Sequence, residues 1–310
     1  MKNFLVSIII PVYNEERSIA PLLKRLLLVL KNYQHEILFI DDGSEDRTAQ
    51  QIKKFAAKNK NIKLISFFRN FGHQMALSCG YQQALGECVI SIDSDLQDPP
   101  EIIPQLIKKW EKGAKIVYAK REKRDAESLF KRLTAQFFYK FINLLSDVPI
   151  PKDVGDYRLL DRVVVDYLND LQEQSLFLRG LVAWSGHPAD FVLYKRDRRL
   201  SGQTHYTLSK MVNFALEGIT SFSTKPLRIA IYLGFLSSAL SIFIIVIKSV
   251  QHFIFGYGDW LPGWASLFFS VVFLGGVQLI TIGIIGEYTG KIYTEVQKRP
   301  KFLIKEKVNI

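Results

Sequence analysis

Apolar positions in the first part of the chain follow two alternating periods. Five short runs are apolar and rich in β-branched residues: Val6-Ser-Ile-Ile-Ile-Pro11, Glu36-Ile-Leu-Phe-Ile-Asp41, Ile62-Lys-Leu-Ile-Ser66, Cys88-Val-Ile-Ser-Ile-Asp93 and Lys115-Ile-Val-Tyr118. Between them the spacing turns helical. Residues 18–32 place Ile19, Leu22, Leu23, Leu26 and Leu30 on one face, and residues 48–58 do the same with Ile52, Phe55 and Ala56. Residues 72–85 form a helix of small residues, and Pro99-Pro100-Glu101 opens another, where proline suits the first turn. Strands alternating with helices of this length predict right-handed βαβ units and an α/β, Rossmann-like domain with a mostly parallel sheet.

Later the pattern changes. Residues 129–145 put Leu129, Phe130, Leu133, Phe137, Phe138, Phe141, Ile142 and Leu145 on one broad face, with Lys131, Arg132 and Lys140 opposite. Such a helix either lies at a membrane surface or packs on the sheet. Asp153-Val-Gly155-Asp156-Tyr157-Arg158-Leu159-Leu160 then reads as a turn, an acid and a short strand. Around Tyr194, a loop carries Lys195, Arg196, Arg198 and Arg199 against Asp197, a balance that favours an anion over a merely solvated surface. Residues 229–247 and 261–286 contain no charged side chain. Each is long enough to cross a hydrocarbon core of about 30 Å. Lys225 and Arg228 precede them, and Lys291, Lys298, Arg299, Lys301, Lys305 and Lys307 follow. By the positive-inside rule both flanks face the cytoplasm, the hairpin faces out, and Trp260 and Trp264 sit at the outer interface.

Three strands end in polar or acidic loops: Tyr13-Asn14-Glu15, Asp41-Asp42-Gly43-Ser44 and Asp93-Ser94-Asp95. In a parallel sheet all three share the rim where nucleotides bind. Asp93 and Asp95 supply hard oxygen ligands just off a strand end, suited to Mg²⁺ or Mn²⁺ carrying a diphosphate. Taken alone, the pair serves a helix-capping turn equally well. Phosphates need cations, and Arg69, Lys120, Arg121 and Arg124 follow nearby strands. There is no GxxxxGK[ST] or GxGxxG loop, which disfavours an ATPase and a dinucleotide oxidoreductase.

Composition narrows the partners. The 310 residues carry 41 Lys and Arg against 30 Asp and Glu, a formal charge of +11, which predicts an anionic partner. The basic residues gather around the apolar spans and the sheet rim, so membrane headgroups and phosphates account for the charge and nucleic acid does not. At 48% hydrophobic and 13% aromatic the chain is not disordered. Its two cysteines, Cys79 and Cys88, stand in apolar settings, as expected for reduced core thiols. The N-terminal residues run straight into a strand, without the apolar stretch of a signal peptide.

These motifs carry a resemblance. Pro11-Val-Tyr-Asn-Glu15, Ile40-Asp-Asp-Gly-Ser44 and Asp93-Ser-Asp95-Leu-Gln-Asp-Pro-Pro-Glu101 resemble the family 2 glycosyltransferases of the GT-A fold. Within that family the chain is similar to the polyprenyl-phosphate glycosyltransferases, which comprise dolichol-phosphate mannose synthases and bactoprenol glucosyltransferases with two C-terminal membrane helices. Phe68-Arg-Asn-Phe-Gly-His73, Arg121-Glu-Lys-Arg124, Gly155-Asp-Tyr-Arg-Leu159, Phe177-Leu-Arg-Gly180 and Arg199-Leu-Ser-Gly202 match as well, in order, over residues 4 to about 300. The Gln-x-x-Arg-Trp signature of processive synthases is absent, which implies transfer of one sugar rather than polymerisation.

The resemblance implies that Pro11, Tyr13, Glu15 and Asp41 hold the nucleoside of a nucleotide-sugar donor. Asp93 contacts ribose or metal, and Asp95 and Gln97 ligate Mg²⁺ or Mn²⁺. Arg121, Arg124, Arg198 and Arg199 are candidates for the donor or acceptor phosphates. Asp156 matches the position assigned as catalytic base. The acceptor it implies is a polyprenyl phosphate, whose second pKa of about 6 leaves little to deprotonate near neutral pH. Asp156 is therefore expected to orient the acceptor, or a cation that binds it. Inverting transfer of glucose from UDP-glucose is the leading expectation. Another sugar (from GDP-mannose, UDP-GlcNAc or a modified donor) or a hydroxyl acceptor is the alternative, and a non-catalytic partner of a lipid flippase is disfavoured by retention of Asp41, Asp93, Asp95 and Asp156. The expected layout is a cytoplasmic GT-A domain over 1–205, an amphipathic juxtamembrane segment over 206–228, a transmembrane hairpin over 229–287 and a basic cytoplasmic tail over 288–310. Gly275-Gly276 permits close helix packing, and a homo-oligomer is expected.

Overall fold

The computed structural model describes residues 2–122, 154–174, 176–196, 220, 223–254 and 263–310. Arg124, Arg198, Arg199, the aromatic helix at 129–145, most of the basic loop, residues 206–219, 221 and 222 of the 206–228 segment, and Trp260 lie outside the described residues.

Eight strands form one sheet in the order β7-β5-β6-β4-β1-β2-β3-β8. The strands are β1 (Lys2–Val12), β2 (Tyr33–Asp41), β3 (Ile62–Phe67), β4 (Cys88–Ser91), β5 (Ile116–Arg121), β6 (Val154–Asp161), β7 (Ala189–Tyr194) and β8 (Ile304–Val308). β1 pairs in parallel with β2 and β4, β2 with β3, and β5 with β7. β6 runs antiparallel to both β4 and β5. The sheet is thus mostly parallel with two antiparallel intrusions, β6 and β8.

Helices cover both faces, as a parallel sheet with near-continuous apolar strands requires. On one face lie α1 (Ile19–Val29), α2 (Thr48–Lys58) and α4 (Ile103–Glu111), α4 entered through a 3-10 turn at Pro100–Ile102. They bury Ile19, Leu22, Leu26, Ile52, Ile103 and Leu106 against Ile8, Ile10, Phe39 and Ile90. On the other lie α3 (His73–Gln83), α5 (Arg162–Asp170) and α6 (Leu178–Trp184). Their Leu77, Cys79, Val164, Leu181 and Val182 pack on Ile9, Leu38, Ile40 and Val89. Alternate residues of each strand serve opposite faces, so Ile8 and Ile9 belong to different cores. The small-residue character of α3 has a local cause: a Cβ on Gly80 would overlap the Ile9 side chain, so only glycine lets α3 lie this close to β1.

Beyond the sheet, α7 (Lys225–Phe253) and α8 (Trp264–Gln297) are two long apolar helices. At 1.5 Å per residue, their 29 and 34 residues span roughly 43 and 51 Å. Phe235, Leu236, Phe243, Val271, Leu279 and Ile282 are all exposed on them, unlike the side chains of a soluble core helix. α8 continues past the expected end of its apolar run and stops at Lys298, which is left-handed (φ 47°), with Pro300 just after.

The tail expected over 288–310 takes a different form at its end. β8 returns to the sheet and pairs antiparallel with β3, from Phe67–Ile304 to Leu64–Val308. Phe302 stacks on Phe67 at 5.0 Å and 9°, and the Leu303 carbonyl accepts from the Phe68 N–H. The alternation Ile-Lys-Glu-Lys-Val of β8 leaves its charges half or fully in solvent, which is why the pattern reads as a basic tail.

Candidate active site

The carboxyl ends of β1, β2, β3, β4, β5 and β7 share one rim, which the N-terminal end of antiparallel β6 joins. Here the first two rim loops are laced together. The Asn14 side-chain oxygen accepts from the Glu45 N–H, and the Asn14 backbone N–H donates to Ser44 Oγ. Glu15 N–H donates to Thr48 Oγ1 and Glu16 N–H to the Asp46 carboxylate. Asn14 itself is left-handed (φ 53°), a conformation asparagine tolerates. Pro11 is buried within β1 beside Ile40, and Tyr13 is 44% exposed at the mouth. The Glu15 carboxylate accepts from Ser18 Oγ. Asp41 is buried and accepts from the Ser44 N–H, closing the turn, and Gly43 (φ 74°) lies too near the Arg69 backbone for any side chain.

Asp42, named in the strand-end loop but given no role there, shapes the next loop. Its two oxygens accept from the Phe71 and Gly72 N–H groups at 2.7 and 2.9 Å. Gly72 (φ 101°) then turns the chain so that His73 opens α3 at the rim. Arg69 folds back over the Phe71 ring at 4.2 Å.

β4 ends at Ser91, and the chain runs on to Asp93. Antiparallel β6 pairs Arg158 with Ser91, so two positions further out Asp93 and Asp156 come level. His73 Nε2 stands between them, 3.7 Å from Asp93 Oδ1 and 3.4 Å from Asp156 Oδ2. Asp156 is 4% exposed. Arg179 of α6 grips its carboxylate with two bonds, Nε to Oδ1 at 3.1 Å and Nη2 to Oδ2 at 2.8 Å. Arg158, fully buried, adds its guanidinium at 3.7 Å. Burial alone would raise the Asp156 pKa, but the charge of Arg179, hydrogen bonds from His73 and Arg179, and the charge of Arg158 hold it well below the ordinary carboxylate range.

Asp93 behaves oppositely. Burial, outweighing the neighbouring His73, and the charges of Asp98, Asp156 and Asp95 push its carboxyl up to about 6. Asp95 accepts from the Gln97 N–H at 3.1 Å across Leu96, which is left-handed (φ 60°), and Arg196 approaches Asp95 at 3.8 Å. Beneath this turn Asp98 is buried, taking a bond from Tyr194 Oη at 2.5 Å with Arg196 and Arg121 at 3.6 and 3.9 Å. Arg121 Nε donates to the same Tyr194 Oη. Tyr157 Oη donates to the Pro99 carbonyl, fixing the start of the 3-10 turn.

This donor set fits a divalent cation. Asp93, Asp95 and Gln97 offer hard oxygens, and a cation would offset both the burial that chiefly raises the Asp93 pKa and the neighbouring carboxylate charges that add to it. Among the described residues no three His, Cys, Asp or Glu side chains form a group that could hold a metal ion. Of the predicted residues, the structure brings Asp93, Asp95, Gln97, Asp156 and Arg121 to one end of the site and Pro11, Tyr13, Glu15 and Asp41 to the other. His73 and Arg179, which sequence reasoning quoted within motifs without a role, stand at the centre. Arg158 and Asp98, also quoted within motifs without a role, and Tyr194 and Arg196 of the basic loop complete the cluster.

The profile of Glycosyl transferase family 2 matches residues 7–168. The SfII prophage-derived bactoprenol glucosyl transferase of Shigella flexneri is 45% identical over 303 residues, covering 97% of each chain. The glycosyltransferase YkcC of Bacillus subtilis is 41% identical over 312 residues, covering all of this chain and 96% of the relative. Among solved structures, the mannosyltransferase PcManGT of Pyrobaculum calidifontis, in complex with GDP-Man and Mn²⁺, superposes with a TM-score of 0.50 at 15% identity over 96% of this chain and 87% of its own. That likeness concerns the fold, a GT-A sheet followed by further elements. With the profile spanning β1 to β6 of the rim, and relatives this similar along their whole length, the chain belongs to glycosyl transferase family 2.

Proposed function

We propose that the protein transfers a single glucose from UDP-glucose, with inversion, to a membrane polyprenyl phosphate, on the cytoplasmic face. The observation that carries this reading is the meeting of Asp93 and Asp95 with the Asp156–Arg179 pair on one rim of a domain tethered to an apolar helical hairpin. The names of the similar bactoprenol glucosyl transferases support the sugar and the lipid.

In this reading the β1 and β2 loops hold the nucleoside, through Pro11, Tyr13, Glu15 and Asp41. Asp93, Asp95 and Gln97 hold Mg²⁺ or Mn²⁺, which when bound neutralises charge developing on the leaving nucleoside diphosphate. Arg121, together with Arg124, Arg198 and Arg199, addresses phosphate oxygens. An acceptor phosphate oxygen attacks the anomeric carbon, forming one C–O bond as the bond to the diphosphate breaks. α7 and α8 keep the domain at the bilayer surface, where the lipid phosphate lies, with both basic flanks toward anionic headgroups.

Purified protein is incubated with polyprenyl phosphate, Mg²⁺ or Mn²⁺, and a panel of UDP- and GDP-sugars, and the lipid product is weighed by mass spectrometry. A mass gain of one hexose from UDP-glucose is expected. No product from any donor sinks the reading, and a product from another donor alone reassigns the sugar.

A further inference from the structure

We propose that Asp98 and Tyr194 are positioning residues for Arg121, and that with Gly155 they hold its guanidinium beside the Asp93–Asp95 loop to meet a phosphate oxygen of a substrate. This rests on the polyprenyl-phosphate reading above, in which Arg121 addresses phosphate.

Three observations carry it. The first is a directed chain of hydrogen bonds. Arg121 ends β5 and Tyr194 ends β7, and the two are direct partners in that parallel pair. Arg121 Nε donates to Tyr194 Oη at 3.1 Å, and Tyr194 Oη donates to Asp98 Oδ1 at 2.5 Å. A guanidinium only donates and an ionised carboxylate only accepts, so a hydroxyl standing between them passes the bond in one direction. Asp98 does not clamp the guanidinium itself: its Oδ1 lies 3.9 Å from Arg121 Nη2, too far for a hydrogen bond. The relay is anchored at its base. Asp98 is buried, and the Tyr194 ring packs edge-on against Tyr157, whose hydroxyl donates to the Pro99 carbonyl. The end of the metal loop is thereby tied to both β6 and β7.

The second observation is steric. Gly155 does not adopt a left-handed backbone, so its conformation gives no reason for glycine. A Cβ there would stand 3.2 Å from Arg121 Nη2, tighter than side chains ordinarily pack. Glycine leaves the room that the guanidinium occupies, one residue before Asp156. The third is the cost of the acid. Among the described residues, Asp98 Oδ2 and Arg196 Nε are buried without a hydrogen-bond partner, and Arg196 Nε stops 3.6 Å from Asp98 Oδ1. A buried carboxylate oxygen left unpaired destabilises a fold, so packing gives no reason for an acid at this position. The relay to Arg121 does. The Arg121 side chain keeps 36% of its surface accessible, so the group that the relay fixes still faces the rim. It stands between the turn that carries Asp95 and Gln97 and the strand start that carries Asp156, with Nε turned to Tyr194 and the Nη groups left to meet phosphate.

The test is a set of double-mutant cycles on full-length protein in lipid vesicles, with UDP-glucose, Mg²⁺ and polyprenyl phosphate, folding being checked by thermal melting. Arg121→Ala is expected to raise about 100-fold the KM of the substrate whose phosphate it holds: UDP-glucose if that phosphate is the donor's, polyprenyl phosphate if it is the acceptor's. Tyr194→Phe and Asp98→Asn are expected to raise the same KM about tenfold and to cost nothing more in the Arg121→Ala background. Gly155→Ala shifts that KM too, and loses its effect once Arg121 is alanine. Both KM values unchanged in Arg121→Ala overturn the inference. So do Tyr194→Phe and Asp98→Asn variants that lower kcat alone, as loss of folded enzyme does, or that raise KM by the same factor with and without Arg121. If Asp98→Asn fails to fold, Tyr194→Phe, which removes one hydroxyl, carries the cycle with the same outcomes. A wild-type protein that transfers nothing to lipid phosphate removes the reading beneath the inference, whereas wild-type transfer with additive Arg121→Ala and Tyr194→Phe losses removes the inference alone.

Discussion

Cys79 sits on the face of α3 that packs against the sheet, and Cys88 opens β4 in the opposite core. Burial, eased only slightly by Lys307, pushes the Cys79 thiol up to about 12, and burial reinforced by Asp161 and Glu87 raises Cys88 as well. A thiol whose folded pKa exceeds its unfolded value of 9.0 contributes stability that is complete below about pH 9 and lost as pH climbs through the folded value. Neither thiol of the folded protein is expected to react with iodoacetamide at pH 8, and both react once the chain is unfolded in guanidinium. The thermal midpoint is expected to fall between about pH 9 and 12. Labelling of Cys79 in the folded state, detected by peptide mass, would contradict this. At this scale sequence reading went far. An apolar context marked both cysteines as core residues, acids at strand ends marked Asp41, Asp93 and Asp95, and the family resemblance marked Asp156. It stopped at pairing: Asp98 with Tyr194, or Asp156 with Arg179, are joined by chain segments 96 and 23 residues long, and no local pattern encodes them.

Among the elements, α3 shows how tightly one helix is fitted to one strand. Gly80→Ala drives a methyl group into Ile9, and overpacking of this kind costs about 1–3 kcal/mol. Chemical denaturation is expected to show that loss, and Ile9→Ala in the same chain to recover part of it through coupling of contacting residues. Two additive losses would mean that the helix simply shifts. The helical periods of α1 and α2 were legible because one face meets the core: Ile19, Leu22, Leu23, Leu26 and Ile52 are all buried. β7 was not. Its Ala-Asp-Phe-Val-Leu-Tyr lies at the sheet edge, with Ala189, Phe191 and Leu193 exposed and Val192 and Tyr194 buried, and it follows a stretch that looks like loop. The direction of β6 was equally hidden, since an isolated apolar run carries no sign of its partner's orientation.

For the whole molecule, the link between the hairpin and the catalytic sheet matters most. The Glu295 carboxylate, near the end of α8, accepts the Gln174 N–H through both oxygens at 2.9 Å, and Lys301 donates to the Leu171 carbonyl. Both contacts land on the segment leading into α6, which carries Arg179. β8 then fastens the far edge. Removing residues 302–310 takes away the Phe302–Phe67 stack and uncovers the β3 edge. The loss is expected to be about 2 kcal/mol, seen as a fall in thermal midpoint of roughly 4–8 °C. Light scattering should rise as open strand edges associate. A truncated protein that melts like the full chain would show β8 to be ornamental.

The return of β8 also imposes an order on biosynthesis. β3 emerges early, yet its edge partner lies more than 200 residues later, after both long apolar helices. Contacts that distant in sequence form late, because the closing loop is long. Through most of translation the sheet therefore carries an unpaired edge at β3, the kind of surface that invites wrong partners. The edge is sealed only once α7 and α8 have left the ribosome, so a chain stalled within the hairpin presents an unfinished sheet to the cell's quality control.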